Sequence, residues 1–294
     1  MVHANAMPFM LNAGWEYSRR HGSGLVSVPH ANVGEKYRRV EALHYFTGCQ
    51  KRVLRESSFV VAQSRFEACL YREMGIPEER IHISGSGISP NEFRDISGER
   101  GRRRHGLDGR VVLCLTAHSV QRGTGHLLKA SEILKNRGTE HTLVLAGPVM
   151  DDAQELLNDF VPPGAGDDPV VTGYIRQSER LDLIAAADAV VLPSRLDCFG
   201  IVLLEAWMLG KPVVGCWSGA MPDLIREGEN GYLVPWGDPE TLAHRTGLLL
   251  KNVEAARNMG ERGREQVLKK WTWKRITDDF YRRLAHCFSG GAGS

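Results

Sequence analysis

Short apolar runs rich in β-branched residues alternate along the chain with longer stretches in which apolar positions recur every three or four residues. That alternation of periods predicts strands separated by helices, the pattern of a parallel sheet covered on both faces. Residues 1–10 read as the end of a strand followed by a loop, 25–30 as a short strand, and about 35–56 as one long helix. A strand follows at 59–62, then a helix over 65–74 with Ser64 as N-cap and Gly75 closing it, then a third short strand at 81–83. From 96 to about 105 the composition turns polar and basic, which reads as a linker. Strand signals then recur at 111–116, 142–146, 170–172, 189–192, 213–216 and 232–234, with helical patterns between them at about 124–136, 151–160, 178–187, 201–209 and 221–227. Six strands joined by crossovers make a whole doubly wound sheet. Three further helices are predicted at 239–250, 253–270 and 273–288, before a Gly- and Ser-rich end at 289–294.

A chain of 294 residues is long enough for two cores. The pattern divides it into a first Rossmann-like unit over 1–95, a second over 96–272, and a segment 273–294 made of a helix crossing back and a flexible end. The first unit is shorter than the roughly 150 residues of a complete doubly wound half and reads as incomplete. Two such units leave one place for a ligand, the cleft at the carboxyl ends of both sheets.

Composition narrows the partners. The formal net charge of +2 is spread along the chain apart from Arg102, Arg103 and Arg104, which gives no support to nucleic acid as a partner. Six cysteines without a CxxC pair, most of them inside apolar patterns, predict reduced and buried thiols and a cytoplasmic protein. No apolar run approaches the ~18 residues of a membrane span, leaving at most peripheral contact with a membrane. Metal ligation is not expected: Asp151 and Asp152, Asp167 and Asp168, and Asp278 and Asp279 fall in helix starts, loops or the tail.

The candidate chemistry centres on Asp197, Cys198, Phe199 and Gly200, followed by the helical pattern containing Glu205. Two carboxylates flank a strand-to-helix turn whose glycine frees backbone amides. Gly200, Ile201 and Val202 would then present N–H groups to sugar or diphosphate oxygens at a helix N-terminus.

The stretch from Pro193 to Gly200, then Glu205 and Ala206, Gly210 to Val214, Gly219, Pro222 and Asp223, Gly228, Asn230 and Gly231, and Asp238 resembles the C-terminal domain of retaining GT-B glycosyltransferases of the family 4 type. Upstream, Ala62 to Ser64, Gly75 to Ile81, Gly87 and Ile88, and Phe93 are similar to the second half of that family's N-terminal domain. The resemblance implies a GT-B-like α/β fold with the first unit incomplete. It implies metal-independent transfer of a sugar from a nucleotide-diphosphate sugar, a UDP-sugar first among them, to an acceptor hydroxyl with retention. No cofactor is implied beyond that donor. The acceptor (a sugar, a lipid-linked or a small molecule) is not specified. Glu205 would hold the ribose, while Asp197, where the family usually has Glu, and His30 would position the sugar. Arg122 would neutralise the leaving diphosphate in place of a family Lys. The family's Arg falls on Ala117, leaving His118 as the nearby cation. Gly173, Tyr174 and Ile175 match the segment that pairs with the base, and His3 and Asn5 would line the acceptor side. The shortened first unit and the changes at 117 and 197 also admit a weakly active or inactive homologue acting as a nucleotide-sugar-binding or partner subunit, and a second chain or copy that completes the first sheet.

Overall fold

The computed structural model describes residues 2–5, 9–30, 46–160, 169–195 and 197–289. The 35–45 part of the expected long helix, Asp167 and Asp168, and the end at 290–294 lie outside these residues.

Two parallel sheets carry the structure. In the first, β1 (Val2–Asn5), β2 (Leu25–Val28), β3 (Phe59–Ala62) and β4 (Ile81–Ile83) lie side by side in chain order. The second contains β5 (Val111–Leu115), β6 (Thr142–Ala146), β7 (Val170–Gly173), β8 (Ala189–Leu192), β9 (Val213–Cys216) and β10 (Tyr232–Val234). Its spatial order is β10-β9-β8-β5-β6-β7, so the winding direction reverses between β5 and β8. Such a reversal splays the loops that follow the two strands and opens a crevice at their carboxyl ends. The central strands β5, β8 and β9 are runs of Val, Leu, Ala and Cys with almost every side chain buried, because helices cover both faces.

The helices are α1 (Phe9–His21), α2 (Gly48–Glu56), α3 (Arg65–Glu73), α4 (Gly98–His105), α5 (Thr124–Asn136), α6 (Asp151–Phe160), α7 (Gln177–Ala186), α8 (Ile201–Met208), α9 (Met221–Leu224), α10 (Pro239–Lys251), α11 (Val253–Lys270) and α12 (Trp273–Ser289). Among them α8 is apolar almost all round, with Leu203, Leu204, Ala206 and Trp207 buried, as befits a helix packed on every side. Helix α11 lies against it, and Trp207 donates its indole N–H to the Asn230 carbonyl at 2.8 Å.

Four expectations change. The loop expected to close the 1–10 stretch gives way at Phe9 to α1, which runs on through residues for which the pattern gave no element and buries Leu11 with Leu25, Val53 and Leu54 in the first core. The helix expected from 35 begins at Gly48 in the described residues, because Thr47 stops it with a capping box that bonds the Gln50 amide and is bonded back by the Gln50 side chain. The polar linker is largely the helix α4, with Ser97 as N-cap and Gly106 left-handed at its end. It is held against α7 by Arg100 and by the Ser97 amide, both of which donate to the buried Asp182 carboxylate. Finally, Cys114 and Cys216 are buried as expected but Cys49 is exposed on α2, since it faces away from the core that its neighbours Gln50, Val53 and Leu54 enter.

The chain returns to the first sheet at its end. Ile88 exchanges backbone hydrogen bonds with Trp271 and Trp273, and α12 then packs Leu284 and Phe280 on Val26, Val28, Phe59 and Val61. On the other side, Asp223 at α9 accepts from the Arg65 amide at 2.7 Å and pairs with the Arg65 guanidinium at 3.1 Å. These two contacts hold the carboxyl ends of both sheets toward each other.

The α8–α11 contact depends on Gly263, because a Cβ there would drive into the Trp207 ring. Ala normally favours a helix over Gly by up to ~1 kcal/mol. Overpacking outweighs that gain here, so Gly263→Ala is expected to lower the urea-unfolding free energy by about 1–3 kcal/mol. Unchanged or increased stability would contradict this packing.

Candidate functional site

A cavity of about 600 Å³ lies between the carboxyl ends of the two sheets. His30, Gln63 and Ser86, which follow β2, β3 and β4, form one wall. The other is built from Thr116, Ala117 and Arg122 after β5, Gly147 and Pro148 after β6, Tyr174 and Ile175 after β7, and the 197–202 turn between β8 and α8. Gln177 and Arg180 of α7 complete it.

Asp197 organises the turn. One of its oxygens accepts the amides of Phe199 (3.1 Å) and Gly200 (2.7 Å), and the other pairs with the Arg122 guanidinium at 2.8 Å. The same Arg122 nitrogen also reaches the Ser194 hydroxyl at 3.3 Å. Gly200 takes φ +82°, which reverses the chain into α8 and which a residue with a Cβ resists. Gly123, at φ +76°, does the same for Arg122: a Cβ there would strike the Pro193 carbonyl, so this close approach needs glycine. Sequence expectation gave Gly200, Ile201 and Val202 equal roles as amide donors. The Gly200 amide is instead spent on Asp197, while the first-turn amides of Ile201 and Val202 have no partner within the helix and belong to residues that line the cavity. The turn and the first turn of α8 thus form an anion-binding corner with Arg122 beside it.

Glu205, one and a half turns into α8, does not line the cavity. Its side chain is 5% exposed and one oxygen pairs with Arg180 at 2.6 Å, while the other is buried without a hydrogen-bond partner. Burial pushes its carboxyl up to about 7, against the opposing pull of Arg180 and with a further small push from Glu92. Arg180, its ion-pair partner, does line the cavity.

The expected role of His118 as a cation fails. The 116–119 segment runs alongside 148–150, with the His118 amide bonded to the Pro148 carbonyl and the His118 carbonyl accepting from Met150, and this turns the imidazole inward. The ring is fully buried and outside the cavity lining, and it nears the Ala146 carbonyl without the geometry of a hydrogen bond. Burial pushes its pKa down to about 4, so it is neutral near pH 7. Ala117, by contrast, does line the cavity, and with a methyl group.

His30 sits on the first-sheet wall with a left-handed backbone (φ +51°), a strained conformation for a non-glycine residue of the kind concentrated at functional sites. Tyr174 is 85% exposed at the rim after β7 and Ile175 is packed on the core behind it, which leaves an aromatic face open for stacking. His3 and Asn5 lie on β1. The residues that sequence reasoning missed are Arg180, Gln63 and Ser86, the last of which donates to the Gln63 side chain at 3.0 Å. Arg180 sits in a stretch that reads as an ordinary amphipathic helix. Its only signal was a cation three residues after Gln177 and four before the buried Ile184, on one helix face. Among the described residues, no group of three or more His, Cys, Asp or Glu side chains is placed to hold a metal ion, and no helix is long and apolar enough to cross a membrane.

A family model described as glycosyl transferases group 1 matches residues 97–266. A GDP-mannose-dependent alpha-(1-6)-phosphatidylinositol monomannoside mannosyltransferase of Mycolicibacterium smegmatis is 28% identical over an alignment of 236 positions that covers 76% of this chain and 61% of that protein. A D-inositol 3-phosphate glycosyltransferase of Saccharomonospora viridis is 29% identical over an alignment of 260 positions that covers 83% of this chain and 59% of that protein. The chain therefore spans about three fifths of the length of these two relatives. Among solved structures, Anabaena HepE in complex with UDP-glucose superimposes with a TM-score of 0.81 at 20% identity, over 94% of this chain and 76% of that one. Sucrose-phosphate synthase from Thermosynechococcus elongatus does so with a TM-score of 0.78 at 21% identity, over 98% and 74%. The fold is GT-B-like, as the sequence resemblance implied.

His118 makes the placement of the 116–119 segment testable. Its folded pKa of about 4 lies below the ordinary 6.5, so as pH falls through that window the unfolded chain takes up the proton first and stability is lost. His118→Leu removes the proton uptake, and the fall in urea-unfolding free energy between pH 6.5 and 4 is expected to become shallower. An unchanged slope would mean that the ring is not buried neutral.

Proposed function

We propose that this chain, which belongs to the glycosyl transferases group 1 family, transfers a sugar from a nucleoside-diphosphate sugar to an acceptor hydroxyl, without a metal ion and with the anomeric configuration retained. The observation that carries this reading is the cavity between the carboxyl ends of both sheets, which Arg122, Arg180, Ile201 and Val202 line together with the exposed Tyr174. An anionic corner ligand and a planar base fit those two ends.

Each residue then has a task. The diphosphate lies against Arg122 and the first turn of α8, where fixed positive charge stabilises the leaving group as the glycosidic bond breaks. Asp197 holds Arg122 and the turn in register, so that these donors are aligned before the donor arrives. Tyr174 and Ile175 flank the base, and the ribose end falls to the Arg180–Glu205 pair. His30 and Asp197 border the space left for the sugar, and the acceptor approaches from the wall that carries Gln63 and Ser86. A uridine donor stands first, supported by the UDP-glucose held by a structure of similar fold. The GDP-mannose dependence named for a relative keeps guanosine in the test.

A thermal-shift and calorimetric screen of UDP, GDP and ADP and their sugars tests the reading. One diphosphate is expected to raise Tm, as a ligand selective for the folded state must. Arg122→Ala is expected to weaken that diphosphate by about 10- to 100-fold and to slow donor turnover by on the order of 10²–10³, the usual cost of one preorganised donor. EDTA is expected to leave turnover unchanged, and NMR of the product to show the donor's anomeric configuration. Binding of none of the diphosphates, or turnover indifferent to Arg122→Ala, would overturn the assignment.

A further inference from the structure

The run Arg102 to Arg104, the basic cluster that stands out in the sequence, plays no part in the cavity between the sheets. Arg102 turns instead toward the amino ends of the central strands, where Asp188 stands just before β8, Arg110 just before β5 and Lys211 two residues before β9. Asp188 is fully engaged: one oxygen accepts from Arg110 at 2.9 Å, and the other from Arg102 and the Val111 amide, each at 2.9 Å. Helix α11 closes over the same spot, because Gly260 lies so near the Gly210 carbonyl that a Cβ would collide with it. Nearly one turn earlier on α11, Arg257 borders a recess of about 180 Å³ together with Arg110, Asp188 and Lys211, while Leu249 and Val253 supply apolar sides.

Three cations line this recess and a fourth, Arg102, backs it, against the single carboxylate of Asp188. Lys211 is half-buried, and among the described residues neither it nor Arg257 has a carboxylate within ion-pair distance. Glu261, which approaches Gly210 from α11, lies off the recess and pairs with Arg264 at 3.9 Å. Surface cations normally splay apart into water, where screening makes their repulsion small. Here Arg102 and Arg110 are pinned by Asp188, and Lys211 extends from backbone set between Gly210, at φ +66°, and Pro212. Burial pulls the Lys211 ammonium below the usual lysine range, an effect that Asp188 opposes and Arg102 reinforces. We propose that the recess is an anion-binding site, separate from the cavity between the sheets, which takes a small phosphate, as the free ion or as the terminal group of a phosphate ester. Lys211, Arg110 and Arg257 are its donors. Arg110 keeps guanidinium N–H groups beyond the one given to Asp188, and Lys211 keeps its ammonium donors, so a tetrahedral oxyanion is met from several sides. Its charge also offsets the repulsion among the cations gathered there.

Titration calorimetry of the whole chain with inorganic phosphate and with glycerol 3-phosphate, at constant ionic strength, tests this. One of the two is expected to bind with a Kd on the order of 0.1–1 mM, as two or three charge-assisted hydrogen bonds give, and the tighter of them tells free ion from ester. Lys211→Gln and Arg257→Gln are each expected to weaken that binding by about 10-fold or more, while Arg122→Ala, which alters the other cavity, leaves it in place. Melting curves in phosphate-free buffer separate binding from folding. Without ligand, Lys211→Gln is expected to melt no lower than the unaltered chain, since it removes one of the like charges around Asp188. Arg257 is exposed on α11, so its variant carries the test if Lys211→Gln fails to fold. Binding of neither compound below about 10 mM would overturn the proposal. So would binding that is lost in Arg122→Ala and kept in Lys211→Gln and Arg257→Gln, because the phosphate would then sit between the sheets.

Discussion

The ion pair between Arg122 and Asp197 bridges the point at which the second sheet reverses its winding. Arg122 follows β5 and Asp197 follows β8, two strands that are neighbours in space and far apart in sequence. Because winding leaves in opposite directions from these strands, their loops diverge and a crevice opens by topology alone. The pair closes one side of that crevice, and the second oxygen of Asp197 fixes the turn from which α8 starts. Both side chains are half-buried, so removing either would leave a partly desolvated charge, at a cost on the order of 1–3 kcal/mol. The geometry of the anion-binding corner is thereby set before any ligand is present.

Around that bridge the structure supplies rigidity from below and a second wall from across. Rigidity comes from α8, an apolar helix enclosed by β8, β9 and α11, whose Trp207 is gripped between Gly263 and the Asn230 carbonyl. The second wall comes from the first sheet, held over the crevice by Arg65 on Asp223 and by α12 on β2 and β3. Charge is then placed sparingly. Arg122 and Arg180 each lean on a carboxylate that holds the guanidinium in place, so their donors stand aligned at the cavity wall.

Much of this was legible because the deciding physics is local or periodic. Strands such as Val111–Leu115 and Ala189–Leu192 are short β-branched runs, and Gly200 after Asp197 announces a turn into a helix. The stop at Thr47 was legible in principle, since Thr47 and Gln50 form a capping box, but the helical period running through it concealed the boundary. Helix α4 looked like a linker because its sequence is polar; it is a helix because Asp182 and the Ser97 cap reward it from outside the segment. The orientation of His118 follows from pairing with 148–150, a contact thirty residues away that no local pattern encodes. The same holds for Arg180 and Glu205, each unremarkable in its own helix and meaningful only because α7 and α8 bring them within 2.6 Å of each other beside the cavity. The residues that pattern reading placed best are those whose backbone makes the site. The ones it misplaced are those whose side chains finish it.

The most direct test of the central claim is a crystal structure of the chain grown with UDP or GDP. The account predicts the diphosphate seated against Arg122 and the first turn of α8, with the base toward Tyr174. A nucleotide bound outside the cavity between the two sheets, or inside it with its phosphates turned away from Arg122 and α8, would contradict the account.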